Sequence, residues 1–376
     1  MIINNRFQVD SLIGQGSFSS VYSGKDLETS NQVAIKLCQK HLKYFFKVEV
    51  QALSKVSGKK GFPKLISYGE TDEQYYLIMT LLGQSLTSKL YEDGHFGLED
   101  TCELGQQMVK VLKRLHGCSY LHRDIKPENI VFKSIEISKK LKKIRKNGRK
   151  KKLDVNYSDN LNHNKRLSRK LYCLIDFGLA KKYWDSKSKW HIPMKTNFQF
   201  KGNLIFCSNN VLSGIEPSCR DDLVSLCLIL IFILKKGLPW MRHTQSIENM
   251  IGCRSSINIS ELLNGVNIEI AEIYNYVLSL GFYQKPDYEY MVGLIRKMKN
   301  IHKMNKSEIV EIRIKNKRSE NVKKTLIMKS KTEDKDTGVL QSSCSTVKLE
   351  APDFSKEMLK KIKLLRMQKI GLEHLH

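Results

Sequence analysis

The 376 residues contain no CxxC pair and no regularly spaced cysteine set; nine cysteines, an odd number, scatter from Cys38 to Cys344. That pattern excludes a disulfide framework and reads as reduced thiols of an intracellular protein, cytoplasmic or nuclear. Long hydrophobic runs are missing too. The strongest, Leu223 to Leu234, is interrupted by Ser225 and is too short to cross a bilayer, so it reads as a buried core helix, and no transmembrane segment is expected. Asn4, Asn5 and Arg6 precede any apolar run, which is not the shape of a cleaved signal peptide. No repeat at solenoid period occurs. Acidic residues are in short supply, 38 against 64 Lys plus Arg, and the resulting formal charge of +26 calls for anionic partners: acidic proteins, nucleic acid or an anionic membrane surface.

A hydrophobic fraction of 41% with 9% aromatics is that of a globular protein, long enough for one large or two moderate cores. Strand-like runs open the chain at Phe7 to Ile13, Val21-Tyr22 and Gln32 to Leu37, and imply an antiparallel sheet. Tyr44 to Val56 lacks Gly and Pro and suits a helix; Tyr75 to Leu82 returns to a buried strand. Beyond Thr101 the chain turns helical, with Leu104, Met108, Val111, Leu112 and Leu115 along one face. The expected class is α+β with two lobes: a small mainly-β lobe over 1–82 with one helix, and a larger mainly-α lobe over 83–300. Two segments look foreign to a core. A basic insertion at about 134–170 contains the nearly all-basic run 139–152, whose self-repulsion favours an extended, disordered state. A Lys-, Glu- and Ser-rich tail follows over 301–376, expected to be mostly disordered, with helical spacing only at Met358, Ile362, Leu365 and Met367.

Gly14-Gln15-Gly16-Ser17-Phe18 sits between strand-like runs, where glycines let a hairpin backbone approach phosphate oxygens. Alone it is no more than a glycine turn. A dinucleotide-binding loop would open a helix, whereas Val33-Ala34-Ile35-Lys36 continues as strand. Lys36, between Ile35 and Leu37, needs an anionic partner or a surface position, and Glu49 on the next helix can supply the partner. The run LHRDIKPEN at 121–129 is sharper. It sets a carboxylate at Asp124 to accept a hydroxyl proton, a cation at Lys126 to stabilise a transferring phosphoryl group, and an amide at Asn129 to bind metal. Asp176-Phe177-Gly178 follows the apolar run Tyr172 to Ile175, so the Asp176 carboxylate projects from a strand end, as suits a Mg²⁺ ligand; without the upstream loop it would read as a turn or capping Asp.

Lys36, Glu49, HRDIKPEN and DFG in this order resemble the eukaryotic protein kinase family over about Phe7 to Lys299, and Lys126 in DIKPEN resembles its serine/threonine class. Three stretches are similar to casein kinase 1: Leu81-Leu82-Gly83-Gln84-Ser85-Leu86, DFGLAKKYWD running on to His191-Ile192-Pro193, and Gly214-Ile215-Glu216 leading to Arg220-Asp221-Asp222-Leu223. No APE triplet closes the activation segment; Ser208-Asn209-Asn210 stands there instead. The resemblance implies transfer of the γ-phosphate of ATP, with Mg²⁺, to Ser or Thr hydroxyls of protein substrates, acidic ones in view of the charge, by a monomer. It implies Asp124, Lys126 and Asn129 as catalytic residues. The nucleotide would be lined by Ile13, Gly14, Gly16, Val21, Ala34, Lys36, Glu49, Met79 and Leu82, with Met79 as gatekeeper and Thr80 to Leu82 as hinge; Asn129 and Asp176 would hold the metal.

The resemblance is broken at several places. Ser19 replaces a phosphate-loop glycine, Cys227 a helix glycine, and Gly202-Asn203-Leu204-Ile205 stands where the subgroup has Gly-Thr-Ala-Arg. Ile205 cannot pair with phosphate, so a preference for phosphate-primed substrates is not expected from that position; Lys195 and Lys201 are candidates to replace it in part. Two other readings remain. One is a kinase-fold scaffold that binds acidic partners without efficient catalysis. The other is a nucleic-acid or polyanion-binding module driven by 139–152.

Overall fold

The computed structural model describes residues 1–16, 19–93, 96–136, 168–185, 187–243 and 246–304. The small lobe is built on β1 (Ile2–Ile3), β2 (Phe7–Gln15), β3 (Ser19–Asp26), β4 (Gln32–Gln39), β5 (Leu65–Glu70) and β6 (Gln74–Thr80). They form a six-stranded antiparallel sheet in the order β1-β2-β3-β4-β6-β5. β4 is interior, and its period of two separates its neighbours cleanly. Val33, Ile35 and Leu37 join Phe7, Tyr76 and Ile78 in a small core on one face. Ala34 and Cys38 join the main core on the other, so Lys36 faces the main core as well. There it meets α1 (Lys43–Val56), whose buried stripe is Phe46, Glu49, Val50, Leu53 and Val56. The expected sheet and helix are present; β1 and β5 were not foreseen, one being only two residues long and the other carrying Ser67 and Gly69.

The larger lobe contains α2 (Leu86–Asp93), α3 (Leu98–Gly117), α4 (Asn209–Leu212), α5 (Cys219–Lys235), α6 (Ile247–Ser256), α7 (Ile259–Leu263), α8 (Ile268–Ser279) and α9 over 288–304. Short strands punctuate it: β7 (Tyr120–Leu121), β8 (Ile130–Glu136), β9 (Ser168–Leu174), β10 (Lys181–Lys182), β11 (Trp184–Asp185) and β12 (Trp190–His191). They pair as β7–β10, β8–β9 and β11–β12. α5 is buried all round from Leu223 to Ile233, the pattern of a helix at the centre of a large core. It begins at Cys219, four residues before the apolar run, because Ser218 and Asp221 form a reciprocal capping box. That extra turn brings Asp221 and Asp222 into the interior. Cys227 is 1% exposed within this helix, so the thiol is accommodated where the family has glycine.

The β8–β9 ladder runs to Glu136 opposite Ser168. The limits of 134 and 170 expected for the insertion are therefore too wide, since 134–136 and 168–170 belong to the hairpin. Backbone pairing needs no apolar side chain, so the strands continue past the last hydrophobic residues that mark them in the sequence. The basic run 139–152, the tail from 305 onward and its expected helix lie outside the described residues, while 301–304 belong to α9.

Candidate active site

Lys36 is held between two carboxylates. Its Nζ donates to Glu49 Oε1 at 2.8 Å and to Asp176 Oδ1 at 2.9 Å. Glu49 is 5% exposed on an otherwise apolar stripe, a position a carboxylate tolerates only when paired. Burial works against the charge on Lys36, but Asp176 and then Glu49 outweigh it and lift its pKa above the usual lysine range. Burial likewise works against the Asp176 carboxylate, and Lys36 followed by Lys126 overcomes it, so Asp176 stays ionised well below the usual range. At Glu49 burial wins and the pKa rises, although Lys36 opposes it. The Asp176 side chain keeps 44% of its surface open, so it joins the buried pair to the solvent-facing cleft.

The catalytic loop hangs from α5. Asp222 Oδ2 accepts from the backbone N–H of His122 and Oδ1 from that of Arg123, both at 2.8 Å. These bonds support a left-handed Arg123 at φ 68°, a conformation that costs a non-glycine residue free energy. Asp176 carries a similar φ of 66°. Arg123 Nε donates to Leu179 O at 2.6 Å, and His122 Nε2 lies 3.0 Å from Ile175 O, so the loop is tied to both sides of Asp176. Beyond it, Lys126 Nζ donates to Asp124 Oδ2 at 2.5 Å, and Asn129 Nδ2 donates to Asp124 O at 2.9 Å and Oδ2 at 3.1 Å. Asp124 Oδ1 is buried without a partner among the described residues. Lys126 and Asp176 are close enough that each favours the other's charged form, which places the two clusters around one space.

The residues expected to line the nucleotide differ in their surroundings. Ala34 and Met79 are buried and directly opposite each other in the β4–β6 ladder. Val21, across from Lys36 in β3, packs against the main core, as does Phe132 of β8 beneath the hinge. Gly14 pairs with Val21, while Gly16 N donates to Ser19 O at 2.9 Å and turns the loop. Ile13 is 52% exposed, at the rim. Leu82 is half-buried. Gly83 next to it is required by contact: a Cβ there would lie 2.1 Å from Phe132 O.

These residues fit a magnesium nucleotide. Among the described residues no group of three or more His, Cys, Asp and Glu forms a metal cage. Asp176 and the Asn129 amide instead offer the sparse oxygen donors that Mg²⁺ accepts when phosphate and water supply the rest.

The segment after Gly202 departs from the sequence expectations. Gly202 has φ 126°, and a Cβ on it would meet Arg123 O at 2.6 Å, so it lets this segment touch the catalytic loop. Asn203 Oδ1 accepts from the N–H groups of Ile205 and Phe206, at 2.9 and 3.1 Å, as a local turn-former does. Ile205 is 2% exposed and belongs to the core. Of the two candidate lysines, Lys201 lies over the Phe45 ring at 5.7 Å and Lys195 is exposed.

Two residues that sequence reasoning missed hold this machinery in place. Arg254, 3% exposed, donates to the carbonyls of Leu204, Ile205 and Cys207 and to Asn209 Oδ1, and stacks over Trp240 at 4.7 Å. His116 bridges Asp222 Oδ2 at 2.9 Å and the Tyr288 hydroxyl at 2.7 Å. Burial opposes its charge, but Cys219 and Asp222 outweigh burial and raise its pKa to about 10. His116 had a visible signal, a polar ring beside the buried Leu112 and Leu115; Arg254, on a weakly amphipathic helix, had none.

A family model for the protein kinase domain matches residues 7–367, and the chain belongs to that family. It is a phosphotransferase of the kinase type, acting on protein substrates. No helix among the described residues is long and apolar enough to cross a membrane.

Proposed function

We propose that this kinase transfers the γ-phosphate of ATP to Ser and Thr hydroxyls of proteins in the manner of casein kinase 1. The observation that carries this reading is Asp124. One oxygen is held by Lys126 and Asn129, and the other is buried with no partner, as a base needs before a hydroxyl arrives. Asp124 Oδ1 orients the acceptor hydroxyl and takes its proton, while Lys126 stabilises the charge on the transferring group. Lys36 binds the α- and β-phosphates, kept charged and aimed by Glu49. Asp176 and Asn129 would hold Mg²⁺, which neutralises phosphate charge and aligns the γ-phosphate when bound. Ala34, Met79 and Leu82 enclose the base, with Ile13, Gly14, Gly16 and Val21 above the phosphates.

Lys126, two residues after Asp124, favours Ser/Thr acceptors, and the stretches from Leu81 and from Gly214 favour the casein kinase 1 type. With Ile205 in the core, acidic substrates are selected by overall charge and not by a priming phosphate at that position. The run 139–152 serves as a docking segment for nucleic acid or another polyanion. All eight cysteines among the described residues are free, in keeping with an intracellular monomer.

One observation favours a second reading, a weakly catalytic scaffold: Asn203 Oδ1 is used locally and does not support Lys126. The test is incubation of the purified chain with labelled ATP, Mg²⁺ and casein, followed by identification of the phosphorylated amino acid. Phosphoserine or phosphothreonine above a nucleotide-only control supports the first reading; phosphotyrosine overturns the Ser/Thr assignment. Nucleotide binding without any transfer establishes the scaffold.

A further inference from the structure

A cavity of about 120 Å³ lies where the loop after α1 meets α3, β9 and α9, and none of the residues placed in the active site lines it. Its walls carry four cations, Lys60, Lys110, Arg114 and Lys299, against one carboxylate, Glu103. None of the four makes an ion pair among the described residues; Arg114 reaches only the carbonyl of Lys110, at 3.1 Å. Glu103 Oε1 takes a hydrogen bond from Gln107 Nε2 at 3.2 Å, and Gln107 Oε1 accepts from Tyr172 N at 3.1 Å.

Such a wall presents donors and positive charge with too few acceptors. Four cations around one carboxylate repel one another, and an anion with several acceptor oxygens relieves that repulsion through charge-assisted hydrogen bonds. The space is far below the roughly 300–1,000 Å³ of pockets for drug-sized ligands, so it admits one compact group and not a nucleotide.

We propose that this cavity binds a phosphoryl-type oxyanion, gripped by Lys60, Lys110, Arg114 and Lys299. Its position gives binding a consequence. Lys60 follows α1, which carries Glu49, while Arg114 and Lys299 belong to the large lobe; Gly61 O already accepts from Leu174 N at 2.9 Å, just before Asp176. A bound oxyanion therefore adds a second tie between the element bearing Glu49 and the strand leading to Asp176. The group arrives free, as inorganic phosphate, or on a phosphorylated side chain of a protein. The cavity's chemistry stands apart from the acceptor specificity proposed above.

The test is calorimetric titration of the full-length protein with inorganic phosphate at fixed salt, then with a phosphoserine peptide and its unphosphorylated twin. Wild type is compared with Lys60→Gln/Lys299→Gln and with a control pair of exposed lysines elsewhere, Lys55→Gln/Lys285→Gln. One oxyanion per chain is expected, with affinity lower by at least about tenfold in the cavity pair, as lost charged hydrogen bonds require. The control pair should change affinity less than about twofold, a small screening effect. Equal binding of phosphate and phosphopeptide supports the site with a free ligand; tighter phosphopeptide binding, lost in the cavity pair, supports it with a protein ligand. Equal weakening in the cavity and control pairs, or no saturable binding, overturns the proposal.

Discussion

Asp222→Asn removes one charge from beneath the catalytic loop without removing the side chain. In the native protein this carboxylate, 3% exposed, accepts from two backbone N–H groups at 2.8 Å and from His116 at 2.9 Å. An asparagine keeps one acceptor oxygen, turns an NH₂ toward a backbone donor, and leaves the His116 imidazolium without its carboxylate. Breaking a buried charge pair in this way costs about 3–5 kcal/mol, a large part of the ~5–15 kcal/mol of a typical fold. The loss depends on pH. The folded pKa of His116 is raised to about 10 from 6.5, so its contribution is complete below pH 6.5 and disappears as pH rises through 10. Over that window wild-type stability falls by up to about 1.4 kcal/mol per pH unit from this residue alone. Urea denaturation followed by tryptophan fluorescence, at pH 6 and pH 9, reads both effects. The variant should lose about 3–5 kcal/mol at pH 6 and distinctly less at pH 9. A loss below about 1 kcal/mol at pH 6, or the same loss at both pH values, would refute the assignment of a charged His116–Asp222 pair.

Gly202→Ala places a methyl group against Arg123 O and strains a positive φ, so thermal stability should fall by about 1–3 kcal/mol, with a larger fractional loss of transfer rate than of nucleotide affinity. Lys36→Met strands Glu49 in the core; a drop of roughly 3–5 kcal/mol in denaturation is expected, and Glu49→Gln on the Lys36→Met background should recover part of it. Cys227→Gly should destabilise by about 1–2 kcal/mol in calorimetry, because it opens space in a packed helix and adds glycine to its interior.

Much of this arrangement was legible in the sequence because it rests on short-range rules. Lys36 was legible as a strand lysine in need of an anionic partner or a surface position, and Glu49 as the carboxylate on the next helix able to supply the partner; the face each occupies is set by the sheet and by α1. The catalytic loop and Asp176 were legible as ordered motifs, and the structure brings Lys36, Glu49 and Asp176 into one cluster and Asp124, Lys126 and Asn129 into another. What escaped was tertiary. The anchoring of the loop by His116 depends on three elements far apart in the chain, α3, α5 and α9, and Arg254 works through backbone carbonyls that no side-chain pattern records. Asn203 is a related case: an amide side chain is well suited to closing its own turn, which no motif in the sequence signals.

The central claim is that Asp124 serves the acceptor hydroxyl and not the nucleotide. Its most direct test is a single-turnover measurement on Asp124→Asn, with nucleotide affinity determined on the same sample. Transfer slower by about 10²–10⁴, with ATP affinity within about twofold of wild type, is the expected result. Undiminished transfer, or a loss explained wholly by weaker ATP binding, would contradict it.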